Sequence, residues 1–154
     1  VLTFSPHFPE YLPYIEKAGG VMKEVPTDEG FLPEESSLRE AISEKTRVLL
    51  INSPNNPTGV FYEESVIKMI SRVLKEKNLE YGKPIYLFSD EPYRELLYGG
   101  EKYPFITSYY EYSLVAYSFS KSLSLPGERI GYLLTGSENP EKEAVFEAVT
   151  SLSP

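Results

Sequence analysis

Cysteine is absent from all 154 residues. That excludes a disulfide framework, a thiolate metal site and a cysteine nucleophile, and it fits a reducing, cytoplasmic setting. Histidine is almost absent: His7 is the single one. His-rich zinc sites and most Ser-His-Asp triads cannot be built within this chain, and no metal site is expected. Positive charge is also scarce, with 15 Lys and Arg against 23 Asp and Glu and a formal net charge of -8. Nucleic-acid binding needs a basic face, so a nucleic-acid partner is not expected. Any anionic ligand must be held by a few local groups. No apolar run approaches the ~20 residues that span a bilayer, so no membrane partner is expected. No signal-peptide pattern is visible either. The chain opens at Val1 and not at Met, which leads to the expectation that the natural N-terminus lies elsewhere.

What is present is enough for a core: 41% of the residues are hydrophobic, and the length suits one domain or part of a larger one. Val1 to Phe4 reads as a strand. Tyr11 to Ala18 has helical spacing and stops at Gly19-Gly20, a C-cap signal. Val21 to Val25 reads as a short strand, and Ser37-Leu-Arg-Glu40 as a capping box opening a helix through Ile42. "RVLLIN", Arg47 to Asn52, is a buried strand. Glu63 to Leu79 is the strongest helix, with Val66, Ile67, Ile70, Val73 and Leu74 on one face. Pro84 to Ser89, Ser113 to Ser118 and Arg129 to Leu134 read as strands, and Glu141 to Val149 as a last helix. Strands apolar on both faces, alternating with amphipathic helices, predict an α/β fold: a mostly parallel, doubly wound sheet with helices on both faces. There is no internal repeat and no low-complexity linker.

In such sheets ligands bind outside the carboxyl ends of the strands. That rule selects Ser5 to Phe8, Asn52 to Gly59, Asp90 to Arg94 and Ser118 to Lys121. Lys121 leaves an apolar strand at the crevice rim, where partial desolvation would make it a nucleophile toward carbonyls; otherwise it is a solvated surface lysine. Ser118, Ser120 and Arg129 offer two hydroxyls and a bidentate fork suited to phosphate, or else strand-end caps and a surface ion pair. Asp90 at its strand tip can hold a protonated ring nitrogen, or can cap a helix from Glu91 onward. Tyr93 can return its phenol to the same crevice or simply pack. Asn56 sits in "NNPTG", where turn chemistry alone is the alternative. Phe8 can stack on a flat ring or belong to the core. His7 reads as a loop residue. One cofactor uses all these groups together, with an aldehyde for the lysine, a phosphate, a ring nitrogen and a phenolic oxygen: pyridoxal 5'-phosphate.

Three motifs then carry a resemblance. "NNPTG" (Asn55 to Gly59), "SDEPYREL" (Ser89 to Leu96) and "SFSKSLSLPGERIGY" (Ser118 to Tyr132) stand in the order and at the separations of the fold-type I pyridoxal-phosphate enzymes of aminotransferase class I/II. The chain resembles the central segment of their large domain over nearly its whole length. The resemblance implies that Lys121 is the Schiff-base lysine and Asp90 the partner of the pyridine nitrogen. It implies that Asn56 and Tyr93 bind the phenolic oxygen, that Ser118, Ser120 and Arg129 hold the phosphate, and that Phe8 stacks on the ring. Cis bonds are expected at Asn56-Pro57 and Ser5-Pro6. Tyr62 departs from the pattern, since a Ser or Thr often stands there to cap the long helix.

Residues 1–154 are thus expected to be the central part of a cofactor-binding large domain. The N-terminal arm, the first strand and the small C-terminal domain would lie outside this sequence. The implied activity is transfer of an amino group between an amino acid and a 2-oxo acid by a cytoplasmic homodimer in full-length form. Lys121, Asp90 and Tyr93 would be the catalytic residues. Other readings are a carbon-sulfur β-lyase or related enzyme, and a non-catalytic ligand-sensing domain of a transcription regulator. Alone, these residues are expected to associate, to bind cofactor weakly and to carry out no transamination.

Overall fold

The computed structural model describes residues 1–152. Six strands form one sheet: β1 (Leu2–Ser5), β2 (Lys23–Pro26), β3 (Val48–Asn52), β4 (Tyr86–Asp90), β5 (Ser113–Ser118) and β6 (Gly131–Thr135). Their order is β2-β1-β3-β4-β5-β6. All neighbours are parallel except β5 and β6, which are antiparallel. The helices are α1 (Tyr11–Lys17), α2 (Glu35–Ala41), α3 (Glu64–Tyr81), the short α4 (Phe119–Ser122) and α5 (Lys142–Leu152).

Register explains how the two sheet faces divide. Leu49 pairs with Leu87, and Leu87 with Ser113; Ile51 pairs with Ser89, and Ser89 with Val115. All six are buried and share one face. α3 covers that face with Ile67, Ile70, Val73 and Leu74, and α2 adds Leu38 and Ala41 to the same cluster. Full burial of such side chains contributes roughly 1.5–3 kcal/mol each. α3 ends at Gly82, whose φ of 64° is the left-handed cap that a residue with a side chain adopts at a cost. The alternate residues Leu50, Phe88 and Leu114 point the other way and are only half-buried. α1 and α5 lie on that side. The Tyr11 hydroxyl of α1 meets Asp90, which alternates with Ser89 and so shares the face of Phe88. α5 borders a small apolar cleft of about 270 Å³ with Leu114, Leu133 and Leu134. Helices on both faces of a mostly parallel sheet are what the sequence pattern predicts.

Some boundaries differ from expectation. α2 begins at Glu35, ahead of the expected Ser37 cap, because the chain is still extended at Glu34 and no side chain caps the end. The Glu35 carboxylate instead takes Arg39 and Arg72. The last strand begins at Gly131, not Arg129, since Pro126–Glu128 form a 3-10 turn and Arg129 is left-handed. Gly131 is demanded by packing: a Cβ there would overlap the carbonyl oxygen of Tyr117 on β5. Tyr62 does not cap α3. It is buried, its N–H donates to Ser53 Oγ at 2.8 Å, and Glu63 flanks the helix without a side-chain cap. The expected cis bonds at Ser5-Pro6 and Asn56-Pro57 are both present, with a third at Ser53-Pro54.

Candidate functional site

β3 and β4 end at the same level, with Asn52 beside Asp90, and β5, whose Ala116 lies beside Asp90, runs two residues further to Ser118. The segments that leave β1, β3, β4 and β5 enclose a cavity of about 460 Å³. Phe8, Asn56, Asp90, Tyr93, Ser118, Ser120, Lys121 and Arg129 all line it. Every residue nominated from the sequence therefore reaches one space, at the carboxyl end of the sheet, of a size suited to a small molecule.

The Asp90 side is held by hydrogen bonds. The Tyr11 hydroxyl donates to Asp90 Oδ2 at 2.7 Å. Asn52 Nδ2 donates to the Asp90 carbonyl at 2.8 Å, while Asn52 Oδ1 accepts from the Asn56 N–H at 2.6 Å. Asn56 Nδ2 reaches the Tyr93 hydroxyl at 3.5 Å. The neighbouring Asn55 donates to the Pro6 carbonyl at 3.1 Å and to Thr58 Oγ1 at 2.9 Å, tying "NNPTG" to the segment after β1. Burial pushes the Asp90 carboxyl above its usual range, and the Tyr11 hydrogen bond opposes that rise. Burial and the adjacent Asp90 together raise the Tyr11 phenol well above its usual value. The alternative role of Asp90 is not realised, since no helix follows it; the chain turns at residues 92–95.

The Lys121 side is looser. Ser118 does cap α4: its Oγ accepts from the Ser120 N–H at 3.2 Å. It also hydrogen-bonds Ser120 Oγ at 2.8 Å, so the two hydroxyls stand together at the cavity. The lysine departs from expectation. Partial desolvation was predicted for Lys121, yet its side chain is exposed, because it leaves a one-turn helix on the open side of the crevice. Its Nζ lies 5.8 Å from the Tyr93 ring centroid, and no carboxylate pairs with it among the described residues. Arg129 is exposed too. Among the described residues its guanidinium donates only to the Pro126 carbonyl, at 3.1 Å, and makes no ion pair with Glu128. Phe8 is half-buried and meets Tyr11 edge-on, with centroids 5.6 Å apart.

Sequence reasoning missed two residues at this site. Asn52 had a visible signal, as a polar end to an otherwise apolar strand, which is the signal that drew attention to Asp90. Tyr11 had none stronger than standing at the start of α1, three residues after Phe8. A third group, Arg94, locks the turn after β4. Its guanidinium lies 4.3 Å from the Tyr117 ring centroid, donates to the Tyr132 hydroxyl at 2.5 Å and pairs with the fully buried Glu91 at 3.4 Å.

Fold and site define a class: an open α/β domain whose strand tips gather a carboxylate, a lysine, two hydroxyls and a guanidinium into one crevice. The profile of the family described as aminotransferase class I and II matches residues 1–154. The chain belongs to that family. The aspartate/prephenate aminotransferase of Thermus thermophilus is 35% identical over 156 residues, covering 100% of this chain and 39% of its own length. The aspartate aminotransferase of Thermotoga maritima is 35% identical over 142 residues, covering 90% of this chain and 36% of its own. Among solved structures, an amino transferase from Eubacterium rectale superposes with a TM-score of 0.95 at 49% identity, over 97% of this chain and 38% of that one. The chain spans about two fifths of the length of the curated relatives it matches.

Proposed function

We propose that this chain is the cofactor-binding core of a larger pyridoxal-phosphate-dependent aminotransferase, which moves an amino group between an amino acid and a 2-oxo acid. One observation carries the reading: all eight residues nominated from the sequence line a single cavity of about 460 Å³. The donor set suits the cofactor group by group. A half-buried carboxylate has Oδ1 without a protein donor among the described residues. An amine stands without an ion pair among the described residues, and two adjacent hydroxyls lie in a cavity that also holds a guanidinium. The names of the relatives, aspartate and aspartate/prephenate aminotransferases, support the reaction class. So does the share of their length that the chain covers, which fits the central part of a large domain.

When bound, pyridoxal phosphate supplies an aldehyde that takes up the amino group and a ring that accepts electrons from the substrate Cα. The protein residues do the rest. Asp90 offers a carboxylate to the ring nitrogen, and a charge-assisted hydrogen bond there keeps that nitrogen protonated. Asn56 and Tyr93 donate to the phenolic oxygen. Ser118, Ser120 and Arg129 hold the phosphate, and Phe8 packs on the ring. Lys121 anchors the cofactor at rest and then carries a proton away from the substrate Cα as a general base. The reading brings with it a homodimer in full-length form and a cytoplasmic location. The test is amino-group transfer by the full-length protein, with added cofactor, from a panel of amino acids to 2-oxoglutarate. Turnover supports the reading. Cofactor binding without turnover on any amino acid would favour a ligand-sensing domain, and keto-acid release with loss of a β-substituent would favour a lyase.

A further inference from the structure

We propose that Arg94 is a positioning residue for Tyr93. It ties the turn that carries this phenol to the strand and one-turn helix that carry Lys121, and so sets how firmly the bound cofactor holds its proton. The inference rests on the pyridoxal-phosphate reading and goes beyond it, since Arg94 does not line the cavity and reaches the cofactor only through Tyr93.

The turn needs a tether. Residues 92–95 lie beyond the end of β4, outside the strand ladder. The Glu91 N–H still donates to the Ala116 carbonyl of β5 at 2.8 Å. Further on, the Tyr93 hydroxyl meets only Asn56 Nδ2 among the described residues, at the long distance of 3.5 Å. Arg94 supplies the tether. Its guanidinium lies over the Tyr117 ring of β5, 4.3 Å from the centroid and within cation–π range. It donates to the Tyr132 hydroxyl of β6 at 2.5 Å and pairs with Glu91 Oε2 at 3.4 Å and with the exposed Glu95 at 3.3 Å.

The far end of this tether is anchored in turn. Tyr117 is buried, stacks on Tyr132 with centroids 5.0 Å apart, and donates to Ser122 Oγ at 2.7 Å. A chain of contacts thus runs from the residue after Tyr93 to the residue after Lys121. Across the cavity the Lys121 amine stands 5.8 Å from the Tyr93 ring centroid. The guanidinium suits this place better than an amine. Glu91 is fully buried, and a carboxylate left there without a cation is strongly destabilised. Lysine would keep that charge, but it has neither the plane that stacks on Tyr117 nor the fork that takes two partners at once.

The electrostatic consequence follows. A hydrogen bond donated to a phenolic oxygen favours its charged form. A Tyr93 held in place therefore lowers the pH at which the bound cofactor gives up its proton. A Tyr93 that swings with its turn lowers it less.

The experiment titrates the visible absorbance of the full-length holoenzyme against pH. In Arg94→Lys the midpoint should rise by about one unit, a tenfold change in proton affinity. Tyr93→Phe should raise it at least as far. In the Tyr93→Phe background Arg94→Lys should add nothing, because residues that act through one another do not add. A midpoint that either single variant leaves unmoved overturns the inference. An equal rise from Arg94→Lys in the Tyr93→Phe background also overturns it, and makes Arg94 a general support of the fold. Should Arg94→Lys fail to accumulate, Tyr132→Phe removes one acceptor from the tether and keeps the ring. It should raise the midpoint by a smaller amount, again only when Tyr93 is present, and no rise overturns the inference. A wild-type protein that shows no visible band after loading refutes the pyridoxal-phosphate reading itself, so the two failures are distinguishable.

Discussion

The crevice has two halves built to different standards. On the β3–β4 half, Asp90 is half-buried and located by Tyr11 and Asn52, and Asn52 also fixes the backbone of Asn56. On the β5–β6 half, Lys121 and Arg129 are exposed, and the Arg129 fork donates to a neighbouring carbonyl and to no other protein group among the described residues. The same gradient continues outward. α3 sinks four apolar residues into the sheet, whereas α5 has none buried and leaves Phe146 70% exposed, next to half-exposed Leu133 and Leu134 on β6. The difference teaches where this segment is self-sufficient. On the ring-nitrogen side, Asp90 is held by the neighbouring strand β3 and by the helix after β1. The lysine and phosphate side rests on a one-turn helix and an edge strand. Exposed apolar surface beside an open strand edge is a docking surface or an aggregation liability. That agrees with the proposal that the segment is the middle of a larger domain.

Substitutions can break or sharpen this contrast. The largest effect is expected from Lys121→Ala in the full-length enzyme. Loss of the general base should lower turnover by about 10³-fold or more while cofactor still binds through the other half, which equilibrium dialysis would show. A variant that still turns over briskly would mean that the exposed lysine is only a surface group. Next comes Asp90→Ala. Removing one partner of a buried charge pair costs about 3–5 kcal/mol, so turnover should drop by roughly 10²- to 10⁴-fold, with Asp90→Glu retaining more. Equal activity in Asp90→Ala and wild type would erase the claim that this half is the organised one.

Smaller effects probe the loose half. Arg129→Lys keeps the charge and loses the bidentate fork. Cofactor affinity should weaken by about tenfold, equivalent to about 1.4 kcal/mol, with turnover at saturating cofactor nearly unchanged. Unaltered affinity would show that Arg129 does not hold the phosphate. The smallest effect lies remote from both halves. Hydrogen bonds from Arg72 and Arg39 hold the Glu35 carboxyl down to about 2. A carboxyl depressed in the folded state stabilises above its unfolded value near 4.5, and that contribution fades as the pH falls toward 2. Glu35→Gln should therefore flatten the acid limb of the melting curve in that window and leave cofactor affinity untouched. Because these groups are partly exposed, added salt should shrink the difference.

Much of this was legible in the residues, and for definite reasons. Buried strands such as Val48–Asn52 and the long helix Glu64–Tyr81 declare themselves by hydrophobic period. The rule that ligands sit beyond strand ends singles out Asp90, Asn56 and Lys121 from the sequence alone. What stayed hidden depends on contacts between residues distant in sequence. The bond from Tyr11 to Asp90 spans 79 residues, and nothing local to either marks it. The Ser37 capping box failed because the helix already begins at Glu35, after an extended Glu34, which places Ser37 inside its first turn. The desolvated lysine failed for a related reason: sequence shows the strand that carries Lys121 to the rim, but not how little of this segment covers it.

The most direct measurement traps the cofactor. Full-length protein is loaded with pyridoxal phosphate, reduced with borohydride, digested and mapped by mass spectrometry. The account predicts one phosphopyridoxyl group, on the peptide containing Lys121. A label on Lys102 or any other lysine, or no label after loading, would contradict it.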